Sequence, residues 1–383
     1  MKVTIQVKAK VLKSHIDNRG IPLEVVAKRS RISQTQLKSY MSQDAEIDQV
    51  VLERLAKVFH KPWTMFLLDA AEQKVDIKQD NRTLQNASHG LGAELVKYLQ
   101  DTEFTLEASK EIDPDYVVKL PMQNLDLKAD PDKAGREFRQ LMKVDDELCK
   151  QIADTRVMLK YWKDLFQAAG IYVSERSLPL NQVRAFSLLE EKKAAIVLST
   201  KDSYEARSFS LIHEVCHILL KQTGICDLND FAAKKVELFC NKFAASFLAP
   251  DYYVKTLIKQ YKDVEDKKEL VYLIAKNLKI SKAATSIRLA ELGYIDPVRT
   301  LDLEAYKSEK PKNKSKSNNN GGNYYATTIN AAGVEFSKQV FNAVSDGVIS
   351  TRDAAKFLGV GEKNIGTYRS KLYEFNPAHE PAS

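Results

Sequence analysis

Three polar side chains within one short apolar stretch could do chemistry. His213, Glu214 and His217 stand in the order H-E-x-x-H inside residues 207–220, Arg-Ser-Phe-Ser-Leu-Ile-His-Glu-Val-Cys-His-Ile-Leu-Leu. Residues four apart on a helix share a face, so both imidazoles can reach one metal ion. Glu214, next to His213, lies beside that metal, where a carboxylate can take a proton from water. Phe209, Leu211, Ile212, Ile218, Leu219 and Leu220 flank the trio, so the sequence predicts a buried helix carrying a polar site. With six histidines in the chain, a chance match is rare, on the order of one in a hundred. A metal site is therefore preferred to a buried helix with two satisfied histidines.

A catalytic zinc takes three protein ligands and leaves one position open. His15, His60, His89 and His379 are remote in sequence, so a carboxylate is the expected third ligand. A second helix is predicted from about Phe231 to Leu248, ending before Pro250, with Val236, Cys240, Phe243 and Phe247 as its core stripe. Glu237 sits off that stripe and is the preferred ligand. Asn241, one turn on, is the residue expected to steady it. Glu205, Asp227 and Asp230 are weaker candidates in connecting segments, and Tyr252 or Tyr253 could supply an oxyanion donor.

The elements that must position these groups are legible nearby. Helical spacing runs through Ile152, Val157, Leu159, Trp162, Leu165 and Phe166 to Gly170. Strand-like segments follow at Ile171–Ser174, Phe186–Leu189 and Ala194–Leu198, with residues 190–193 as the turn between the last two. A small sheet thus precedes the H-E-x-x-H helix, an order suited to laying an extended peptide along a sheet edge. Further back, helices are expected at Leu95–Leu99 and Ala134–Met142.

Residues 207–220, joined to Glu237-x-x-Cys-Asn-x-Phe-Ala-Ala-x-Phe-Leu-Ala-Pro250, resemble the ImmA/IrrE family of zinc metallopeptidases. The resemblance spans about residues 130–297. It implies Zn²⁺ held by His213, His217 and Glu237, with Glu214 as the catalytic acid–base. It also implies a substrate class: bacterial and mobile-element members cleave a repressor protein and so release transcription. Cys216 stands where a small residue is more usual before the second histidine.

Residues 11–68 read as an all-helical unit. Pro22 opens a helix, Ser33 caps the next one (34–41), and Leu52, Leu55, Ala56, Val58 and Phe59 mark a later one. The order resembles an Xre-type helix-turn-helix domain over about sixty residues. By that resemblance Gln34, Thr35 and Lys38 open a recognition helix facing the major groove of duplex DNA, with Arg29 and Arg31 suited to guanine or phosphate. Arg31 occupies the turn position usually held by glycine, which predicts a looser turn or a repurposed domain. Residues 1–61 carry eight Lys and four Arg against six acids, most of the chain's net charge of +7. That bias fits nucleic acid or an acidic partner.

The remaining features bound the class. The four cysteines form no C-x-x-C pair, against a disulfide framework or zinc knuckle. There is no signal-like N-terminus and no apolar run of membrane-spanning length, so a cytoplasmic protein is expected. Residues 307–316 hold five Lys against one Glu, and an Asn/Gly tract follows to Asn323, the composition of a flexible linker. Beyond it, one helix is expected at Ala331–Val344 and a helical pair at Thr351–Val360 and Asn364–Phe375.

The expected fold is mainly α with a small β-sheet (α+β). Its pieces are a helix-turn-helix domain at 1–70, a connection at 71–129, a zincin-like domain at 130–260, a helical segment at 261–300, a linker at 301–323 and a helical domain at 324–383. The leading function is a zinc endopeptidase acting on a repressor. The competing one is a DNA-binding regulator, or a toxin–antitoxin or phage-defence component, whose peptidase-like domain binds a partner without cutting it.

Overall fold

A computed structural model describes residues 4–17, 23–58, 66, 93–122, 125–180, 182–221, 231–295 and 324–375. The fold is mainly helical with small sheets, as expected. Contacts divide the chain into two units, one over Met1–Lys78 and Thr83–Glu103, the other over Gln79–Arg82 and Phe104–Ser383. No helix among the described residues is long and apolar enough to cross a membrane.

The first unit contains β1 (Thr4–Val7), α1 (Ala9–Asp17), α2 (Leu23–Ser30), α3 (Gln34–Ser42), β2 (Ala45–Asp48) and α4 (Gln49–Val58). It is not all-helical: β1 pairs antiparallel with β2, Thr4 opposite Asp48 and Val7 opposite Ala45. Four-residue strands are too short to show a clear period in sequence. Val7 and Ile47 nevertheless enter the core with Leu12, Val26, Leu37, Leu52 and Leu55, which selects the pairing.

The α2–α3 turn also differs from expectation. Arg31 takes a left-handed conformation, φ +57°. The Ile32 N–H donates to Ala27 O at 3.0 Å, and the Ser33 hydroxyl accepts from Gln36 N at 3.1 Å. The turn is as tight as a glycine would make it. Arginine there costs about 1–2 kcal/mol of backbone strain, outweighed by a cap and by Leu37, which is fully buried.

Helix α5 (Ala93–Ile112) leads into the second unit, and its Leu106, Ala108 and Ile112 join a core there. Then come α6 (Pro131–Leu141), α7 (Asp146–Gln151), α8 (Thr155–Ala168), β3 (Ile171–Arg176), β4 (Ala185–Glu190) and β5 (Lys193–Ser199). They are followed by α9 (Tyr204–Leu219), α10 (Phe231–Leu248), α11 (Asp251–Gln260), α12 (Lys267–Leu278) and α13 (Lys282–Glu291). The sheet order is β3-β5-β4, with β3 parallel and β4 antiparallel to β5. Hence β4 lies at an edge.

The two faces of this sheet bury different partners, as strand alternation dictates. Ile171, Val173, Ala194 and Ile196 join the core of α6, α8, α9 and α10. Tyr172 and Ala195 face a separate core with Phe336, Val340 and Tyr368. Phe336 and Val340 come from α15 (Val334–Ser345) and Tyr368 from α17 (Ile365–Phe375), while α14 (Tyr324–Ala332) adds Ile329 and α16 (Thr351–Phe357) adds Ala354 and Ala355. The single helix expected at 331–344 is in fact the end of α14 and nearly all of α15, broken at Gly333 with φ +90°. Only glycine takes that conformation without strain. The linker at 301–323 lies outside the described residues.

Helix α6 seats α10. A Cβ on Gly135 would lie 2.5 Å from Phe243 O, so the missing side chain permits the close approach. Phe138 then stacks among Phe166, Phe243 and Phe247. Buried Arg139 ties the same elements together, donating to Phe247 O and to Asp146.

Candidate metal centre

Ser203 caps α9, its hydroxyl accepting from Ala206 N, and the helix runs unbroken through the H-E-x-x-H residues. One face carries His213 and His217, with ring centroids 4.8 Å apart and Nε2 atoms 3.0 Å apart. Helix α10 packs on α9 and delivers Glu237 to the same point. Its Oε2 is 3.3 Å from His213 Nε2 and its Oε1 is 3.1 Å from His217 Nε2. His213 and Glu214 are 0% exposed, His217 1% and Glu237 6%. The Glu237 carboxylate and two imidazoles thus converge in an apolar interior.

Three donors so placed suit a metal. Ligands about 2.0–2.1 Å from a tetrahedral zinc are separated by about 3.3–3.4 Å from one another, close to the spacings found. The site's electrostatics also favour a cation. Burial alone would lower the pKa of His217, yet its hydrogen bonds to Cys240 and Glu237 lift it well above the usual imidazole value.

Glu214 is held separately. Ser187 Oγ, buried on the edge strand β4, donates to Glu214 Oε2 at 2.9 Å. The carboxylate is thereby fixed between helix and sheet, beside the ligand set and not within it. The start of α9 is fixed as well. Arg207 donates to Asp202 O, Thr200 O and Glu175, while Lys163 reaches the same Glu175 carboxylate. Burial would raise the pKa of Glu175, but Lys163 and Arg207 outweigh it and hold it below the usual carboxylate value.

The structure brings together His213, His217 and Glu237, with Glu214 alongside. Asn241 is half-buried and its side chain makes no hydrogen bond with the described residues; the α10 groups beside His217 are Glu237 and Cys240. Glu205 sits eight residues before His213, about 12 Å along the helix. Tyr252 donates to Asp146, and the ring of Tyr253 lies under Lys150, so both are engaged with α7. Asp227 and Asp230 lie outside the described residues. Arg29, Arg31, Gln34, Thr35 and Lys38 are all exposed around the α2–α3 turn of the first unit.

Sequence reasoning missed Ser187 and the second side of Cys240. Ser187 interrupts the apolar run Ala185-Phe186-Ser187-Leu188-Leu189, and a polar residue inside a buried strand needs a partner. Cys240 packs in the core, as its place on the apolar stripe predicts, and its Sγ and the ligating atoms of His213 and His217 also lie within 4.8 Å of one another.

Residues 166–290 match the family model described as Peptidase_M78, the IrrE N-terminal-like domain. The match takes in β3 to α13, including every member of the site, and less than half of the chain. It supports a metallopeptidase-like domain of the ImmA/IrrE kind. No curated protein matches the chain.

Proposed function

We propose that this chain is a zinc-dependent endopeptidase that cleaves a repressor protein. The observation that carries the reading is the convergence of His213, His217 and Glu237 beside a Glu214 carboxylate anchored by Ser187. These three residues would hold the metal. Bound zinc supplies Lewis acidity toward water and toward a peptide carbonyl.

The chain's own residues do the rest. Glu214 accepts a proton from the attacking water and returns it to the leaving amine. Ser187 keeps the carboxylate oriented through both transfers. The edge strand β4, which carries Ser187, is placed to pair with an extended substrate backbone. The substrate class, a repressor acting in the cytoplasm, rests on the family resemblance.

Metal analysis and co-expression with candidate repressor proteins test the proposal. Zinc should be bound, and lost in His213→Ala and His217→Ala. Cleavage should disappear in Glu214→Gln while zinc stays, a drop of about 10²–10⁴-fold from losing the proton carrier. A fully active Glu214→Gln protein would refute the assignment.

A second reading concerns the first unit. Support for a helix-turn-helix reading comes from the left-handed turn at Arg31 between α2 and α3 and from exposed Gln34, Thr35 and Lys38 at the start of α3. This favours duplex DNA as a partner, with or without cleavage by the second unit. Binding of the full chain to DNA should weaken steeply with salt; affinity indifferent to salt would exclude it.

A further inference from the structure

We propose that Cys240 is a fourth ligand of the metal centre, so that the resting site is a closed His₂–Glu–Cys set. The proposal rests on the zinc reading above and adds a state of that same site. Three observations carry it.

First, the sulfur is in reach. The Cys240 Sγ and the ligating atoms of His213 and His217 form one group with no separation above 4.8 Å. A thiolate about 2.3 Å from a tetrahedral zinc would lie about 3.6 Å from ligands at about 2.05 Å. A small side-chain adjustment covers that difference. Second, Cys240 stands three residues past Glu237 on α10, so the helix that brings the carboxylate to His213 and His217 also brings the thiol to them. Third, the whole set is shut away from water: Cys240 and His213 are 0% exposed, His217 1% and Glu237 6%. A centre ready for a peptide needs an open position; a centre with four protein donors is closed and stabilises the fold.

Coordination breaks the Cys240 S–H bond, forms a sulfur–metal bond and releases the proton to solvent, with no change of oxidation state. Sulfur is a favoured donor for zinc. Peptidase chemistry then requires the Cys240 thiolate to withdraw, leaving His213, His217 and Glu237 in place.

The full chain loaded with Co²⁺ reads this directly, since a thiolate ligand gives an intense near-ultraviolet charge-transfer band. Wild type and Cys216→Ala, which alters the neighbouring thiol, should both show the band. Cys240→Ser should bind one Co²⁺ and lose it. A band that persists in Cys240→Ser overturns the proposal. So does wild type that binds Co²⁺ through His213 and His217 without the band; the metal reading then survives and Cys240 is only a hydrogen-bond partner of His217. Failure of both wild type and the histidine variants to bind Co²⁺ specifically overturns the zinc reading along with this one. Should Cys240→Ser not fold, X-ray absorption on the wild-type zinc protein decides: one sulfur neighbour at about 2.3 Å supports the proposal, and none refutes it.

Discussion

Replacing Glu175 with Gln tests how the start of α9 is held. The Glu175 side chain is 8% exposed and accepts from Lys163 Nζ at 2.5 Å and from Arg207 Nη1 at 2.8 Å. Glutamine keeps the shape but leaves two cations, each 13% exposed, without a counter-charge. Breaking a buried pair from one side costs about 3–5 kcal/mol. For a unit of this size each kcal/mol moves the midpoint by about 2–4 °C, so the melting transition should fall by roughly 6–20 °C.

The pH dependence has a definite sign. The folded-state pKa of Glu175 is depressed below the ordinary glutamate value of about 4.3. Its contribution is therefore complete above that value and disappears as pH falls through the lower folded value. Wild type and Glu175→Gln should converge in stability on the acid side and differ most near neutrality. Near-ultraviolet circular dichroism during thermal and denaturant unfolding measures both. The double variant Glu175→Gln/Lys163→Met should recover part of the loss, because one stranded charge is gone. A loss below about 1 kcal/mol, the range of an exposed pair, would refute the reasoning.

Other outcomes follow from single contacts. Ser187→Ala should reduce the rate of cleavage by roughly tenfold or more, consistent with losing a hydrogen bond to a charged group worth about 1.5–3 kcal/mol; Ser187→Thr should restore part of it, and metal content should not change. Gly135→Ala should destabilise the second unit by about 1–3 kcal/mol, read by chemical denaturation, since its methyl would press on Phe243 O. Arg31→Gly should stabilise the first unit by about 0.5–1 kcal/mol, relief of left-handed strain less the entropy of a freer unfolded chain.

Much of this was written in local pattern. The helix at Phe231–Leu248 and the three strands of the larger sheet were legible because their apolar spacing is set by residues within a few positions of one another. His213, His217 and Glu237 were legible because their chemistry allows few other uses. What was hidden depends on distant partners. The four-residue β1 and β2 exist only because each pairs with the other across α1, α2 and α3. Gly333 breaks a helix whose apolar spacing continues past it. Cys240 lies on an apolar stripe, and only the packing of α10 on α9 turns it toward His217.

The sheet with two buried faces also bears on how the chain is made. Its last strand is complete at Ser199, but the face bearing Tyr172 and Ala195 has until then only α5 and Tyr116 to cover it, and gains the rest of its cover when α15 and α17 have been synthesised. At about 5–20 residues per second, on the order of ten seconds or more separates the two events. Through that interval a nascent metallopeptidase-like domain carries a partly uncovered apolar layer, which makes premature termination before residue 375 a route to aggregation, not to a trimmed working domain.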